Sequence, residues 1–69
     1  MQTNVQLNVE KDVLTVPDMA QILEVSRSMV YSMVNSGQIP YVKVGSKTRF
    51  IKSQIEAWLA DGGSKEEVV

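Results

Sequence analysis

The stretch "VSRSMVYSMVNSGQIP", Val25 to Pro40, reads as a helix with a marked start and a marked stop. Ser26 is placed to cap the start, and Gly37 followed by Pro40 closes the end. At about 100° per residue, Met29, Val30, Met33 and Val34 share one arc, and Arg27, Ser28, Tyr31, Ser32 and Asn35 share the other. A merely solvated arc would be stocked with Glu and Lys, which are good helix formers. This one carries short hydrogen-bonding side chains, a Tyr and an Arg, and no acid.

Upstream, "LTVPDMAQILEV" gives a second amphipathic helix. Thr15 is placed as its N-cap, Pro17 is tolerated in the first turn, and Asp18 completes a Thr-x-x-Asp box. Val16, Met19, Ala20, Ile22 and Leu23 form its apolar arc, which ends near Glu24. Only a few residues around Val25 then separate the two helices, so the chain must turn sharply. Val25 must point into the angle, and small Ala20 lets the helices approach.

Downstream, "IPYVKVGSKTRFIK" cannot be helix. Pro40 and the β-branched residues oppose it, Val42-Lys43-Val44 alternates with period two, and Gly45-Ser46-Lys47-Thr48 is a turn sequence. Two short strands follow, with basic residues at and beside the tip. On local grounds those lysines either reach for an anion or merely guard a sheet edge. In "SQIEAWLADGG", Ser53 and Glu56 have the spacing of a capping box, and Ile55, Trp58 and Leu59 repeat as one helical face. The expected core is Met29, Val30, Met33, Val34, Phe50, Ile55, Trp58 and Leu59. Residues 1–12 are expected as a flexible arm or a loosely attached edge strand, 13–60 as the folded domain, and 61–69 as a flexible tail.

The totals narrow the function class. The chain has 69 residues, no Cys and no His. Disulfides, thiolate metal sites and the commonest general base are therefore absent, and no catalytic constellation can be named. No enzyme, metal or cofactor is expected. Neither a membrane span nor a signal peptide is visible, so the expectation is a soluble, cytoplasmic protein. The formal net charge is only −1, but it is unevenly spread. Residues 25–55 carry +5, whereas 1–24 and 56–69 carry −3 each. A basic block between acidic ends offers a local field for a polyanion that the total conceals.

Helix, tight turn, helix, basic hairpin and closing helix is the order of a winged helix-turn-helix, a mainly α fold with a small β-hairpin. From Leu14 to Leu59 the chain resembles the excisionase-type DNA-binding domains, which are related to the MerR family. The marks are Ala20 and Leu23, Val25-Ser26-Arg27-Ser28, Val30-Tyr31, Gly37, Ile39-Pro40, Val44-Gly45, Arg49-Phe50 and Trp58-Leu59. The resemblance implies small prophage or mobile-element proteins that bind and often bend DNA, directing a recombinase toward excision; close relatives regulate transcription. The chain departs from the family at Ser32, Asn35 and Ser36, where charge is common, and at Met29, where a small polar residue is common. Its wing tip is also less arginine-rich.

With the second helix in a major groove, its polar arc becomes intelligible, because base edges are read by short donors and acceptors and phosphates repel carboxylates. Asn35 suits adenine, and Arg27 suits guanine or a phosphate near the helix start. Ser28 and Ser32 allow close approach, although Ser28 can equally help cap the helix. Tyr31 either donates to a phosphate or packs against the hairpin. Lys43, Lys47, Thr48 and Arg49 are the wing candidates, with Arg49 suited to a narrow minor groove. Lys52 either adds a phosphate contact or sits solvated. Partners expected are double-stranded DNA and, through the family, an integrase or other recombinase. An adaptor that binds only protein is the competing reading. One helix-turn-helix reads a half-site, so a dimer or a cooperative row on DNA is expected as well.

Overall fold

Thr15 starts the first helix as its sequence requires. The Asp18 amide donates to Thr15 Oγ1 at 3.2 Å, and the Thr15 amide donates to Asp18 Oδ2 at 3.0 Å, so both halves of the capping box are formed. In the computed structural model, which describes residues 6, 7 and 9–63, the elements run β1 (Val13–Leu14), α1 (Val16–Leu23), α2 (Arg27–Asn35), β2 (Val42–Val44), β3 (Lys47–Ile51) and α3 (Lys52–Ala60). The expected order of helix, turn, helix, hairpin and helix is the order observed. The sheet adds a third strand: β1 pairs antiparallel with β3 on the side away from β2, giving the order β1-β3-β2.

Glu24, Val25 and Ser26 make the turn between α1 and α2. Glu24 takes a left-handed conformation at φ 57°, and the Val25 amide reaches back to the Ala20 carbonyl at 3.0 Å. That backbone state is usually left to glycine, so Glu24 holds it at some cost. Ser26 then caps α2, its Oγ accepting from the Met29 amide at 3.1 Å. At the far end Gly37 adopts φ 75°, and the Gln38 and Gly37 amides return to the carbonyls of Met33 and Val34. This is the Schellman closure, and it turns the chain out of the helix and toward the hairpin.

The core is built from Leu14, Val16, Met19, Val30, Val34, Ile39, Phe50, Ile55 and Trp58. Val30, Val34, Phe50, Ile55 and Trp58 are as expected; Met33 and Leu59 are half-buried against this cluster. Met29 departs from the expectation. It is 50% exposed and lies outside the packed set, because the core meets α2 only on the side of Val30, Met33 and Val34. Ile39, a lone apolar residue with no periodic neighbours, is buried because the α2 closure folds it inward. Trp58 donates its indole N–H to the Gln38 carbonyl at 2.9 Å, tying α3 to the same connection.

The start of α3 also differs. Its N-cap is Ile51, with no side-chain cap, and Ser53 lies inside the first turn, so the Ser53–Glu56 box is not formed. The physical reason is continuity. β3 runs into α3 without a loop, and a tertiary partner replaces the cap: the Lys52 amide donates to the Asp12 carbonyl at 2.9 Å. Glu56 is used elsewhere, its Oε2 accepting from the Leu7 amide at 2.7 Å. The Lys52 ammonium donates to the Val9 carbonyl at 2.7 Å, so it is neither free in solvent nor turned toward the wing. Leu7 and Val9 pack against the core. Residues 1–5 and 8 of the expected arm and 64–69 of the expected tail lie outside the described residues.

Candidate nucleic-acid interface

Two elements converge to make the candidate site. The polar arc of α2 is exposed along its length: Arg27, Ser28, Tyr31, Ser32 and Asn35 all face solvent. Nothing in the described chain covers it. The hairpin rises beside this arc, its strands joined by Gly45-Ser46. Gly45 takes φ 64° at the first loop position, where a tight hairpin turn of this kind calls for glycine.

Cross-strand register decides which wing residues share a face. Val42 pairs with Arg49, Lys43 with Thr48, and Val44 with Lys47. Residues directly opposite one another in an antiparallel pair point to the same side. Lys43 and Thr48 therefore share the face that carries Phe50 into the core, whereas Arg49 and Lys47 belong with Val42 and Val44 on the reverse. Arg49 is half-buried, and its Nη1 donates to the Thr48 carbonyl at 2.7 Å. That bond anchors one end of a planar fork and leaves its other donors available.

Between α2 and the hairpin lies an open groove of about 410 Å³. Tyr31, Val34 and Asn35 form one wall, Tyr41, Lys43 and Ser46 to Arg49 the other, and Val16 and Pro17 close one end. Of the residues expected at the site, the groove gathers Tyr31, Asn35, Lys43, Lys47, Thr48 and Arg49. Arg27, Ser28 and Ser32 are on the exposed surface of α2 but do not line it. Tyr41 and Ser46 line the groove and were not expected there. Tyr41 sits between Pro40 and the first strand residue, and its 40% exposure has no periodic signal in the sequence.

Among the described residues no carboxylate lines the groove. The one ion pair among them is Lys11, ahead of β1, with Asp18 of α1, 2.7 Å apart and outside the groove. Among the described residues the cations of α2 and the wing thus have no acid to satisfy them. An unpaired cationic wall facing a helix side of short donors and acceptors suits a polyanion whose edges also carry hydrogen-bonding groups. Among the described residues no cluster of His, Cys, Asp and Glu could hold a metal ion, and no helix is long and apolar enough to cross a membrane.

A family model described as a helix-turn-helix domain matches residues 13–63. Comparison with curated proteins and with solved structures gives no match.

Proposed function

The chain belongs to the helix-turn-helix domain family, and on that premise we propose that it binds double-stranded DNA sequence-specifically, with α2 in the major groove and the β2–β3 wing on the adjoining backbone. One observation carries the reading: Tyr31 and Asn35 of the acid-free polar arc of α2 line one groove with Lys43, Lys47 and Arg49 of the hairpin, and among the described residues none of these cations pairs with an acid. In this arrangement Arg27, Ser28, Ser32 and Asn35 approach base edges or the flanking phosphates. Tyr31, Lys43, Lys47, Thr48 and Arg49 grip the strand that passes between helix and wing. Lys52 is left out, because its ammonium is engaged by the Val9 carbonyl.

The biological role we assign is that of an excisionase-type directionality factor of a prophage or mobile element, on the residue-level resemblance of Leu14 to Leu59. A small transcriptional regulator is the second reading, favoured by the same resemblance. Because a single copy presents one recognition helix, useful specificity needs a dimer, a cooperative row or help from a recombinase. Footprinting of the purified chain on DNA flanking its gene tests the assignment: protection at a recombination attachment site supports excision, and protection over a promoter overturns it in favour of regulation. Arg27→Ala is expected to abolish the discrete shift in a gel assay. A wild-type chain that binds no duplex at low salt would leave only a protein-adaptor role.

A further inference from the structure

Met29 is an apolar side chain in a place where the fold gives it nothing to do. It is 50% exposed on α2 and makes no packing contribution to the core cluster, unlike Met33 one turn later. Tyr31 and Met29 are the large exposed hydrophobic residues of α2, and Tyr31 faces the groove with a polar tip. At about 100° per residue, Arg27, Tyr31 and Asn35 lie toward the wing, Ser28 and Ser32 form the crest, and Met29 follows on the far flank. The thioether therefore stands on the exposed flank of α2 next to that serine crest, on the side away from the wing.

We infer that Met29 reads a thymine, by covering its C5-methyl group in the major groove. The inference rests on the reading of α2 as a recognition helix. Among the groups that base pairs display in the major groove, the thymine methyl is the apolar one, and an apolar side chain is its natural partner. Methionine suits the task because an unbranched, polarisable chain adapts to a surface that is not its own protein. The serines of the adjoining crest are short enough to let it come close. Covering a methyl favours thymine over any base lacking one at that position, so Met29 sets specificity, whereas the wing lysines contribute affinity regardless of sequence.

The test begins by selecting bound duplexes from a random pool with the full chain. Each thymine of the enriched site is then replaced singly by deoxyuridine, which removes the methyl and leaves every hydrogen-bonding group in place. At one position the wild type is expected to lose affinity about fourfold, the ratio that corresponds to one buried methyl group. Met29→Ala is expected to bind the thymine site more weakly and to be indifferent to that replacement. Its affinity for unrelated duplex and its melting temperature should stay at wild-type values, as suits a half-exposed residue outside the core. If no deoxyuridine replacement weakens the wild type more than it weakens Met29→Ala, the inference is overturned while DNA binding stands. If the wild type enriches no duplex at all, the recognition-helix reading fails first and takes this one with it.

Discussion

The salt dependence of DNA binding offers a quantitative test, because the structure says which cations to count. Arg27, Lys43 and Lys47 are exposed, and Arg49 keeps donors free beyond the one on the Thr48 carbonyl. Lys52 is excluded, since the Val9 carbonyl holds its ammonium against the segment that also carries Glu10 and Asp12. Four neutralised phosphates give a slope of log K against log salt of about −3.5. Raising salt from 50 to 200 mM should then weaken binding roughly a hundredfold. Fluorescence anisotropy on a labelled duplex, titrated at several salt concentrations, measures the slope directly. Lys47→Ala should bring it closer to zero by about 0.9, and Lys52→Ala should leave it where it was. A wild-type slope near zero, or a Lys52→Ala effect as large as that of Lys47→Ala, would refute the argument.

Two further expectations concern the scaffold. The Lys11 ammonium bonded to Asp18, with the Thr15 amide as the second cause, holds that carboxyl below its ordinary range. A carboxylate so depressed contributes stability above the unfolded value of about 3.9, and that contribution is lost as pH falls through the lower folded value. Urea unfolding at neutral and acid pH should therefore show wild type losing more stability on acidification than Asp18→Asn; equal losses would sever the link. Glu24→Gly should stabilise the fold by up to about 1 kcal/mol, because glycine occupies the left-handed state at φ 57° without a Cβ clash. A lowered melting temperature would show that the Glu24 side chain contributes more than its backbone strain costs.

Much of the architecture is local chemistry, and local chemistry can be read along a chain. The Thr15–Asp18 box, the Ser26 cap and the Gly37 closure each join groups within five residues of one another. Their geometry follows from spacing alone. The same holds for the amphipathic arcs of α1 and α2 and for a turn starting at Gly45, although it closes within Gly45-Ser46 and Lys47 and Thr48 of the expected turn already belong to β3. The order of elements and the polar arc of α2 were legible before any coordinates. What was misread has a common cause: the deciding partner was far away in sequence. Glu56 has the spacing to pair with Ser53, yet it serves Leu7, 49 residues off, and Lys52 serves Val9, 43 residues off. Met29 falls on the apolar arc by periodicity, but only the way the rest of the core packs on α2 determines how wide a stripe of it is covered.

The sequence by itself determined where α1 and α2 begin and end, which arc of α2 is polar, and that the middle of the chain is basic. Only the tertiary structure decided that the wing stands beside that arc rather than across the molecule, that Tyr41 joins the groove, and that Lys52 is withdrawn from it. The division is physical. Caps, turns and periodicity are satisfied within a few residues, whereas a groove is the space between two elements and belongs to neither until the Phe50 face of the sheet packs over the core and sets their distance.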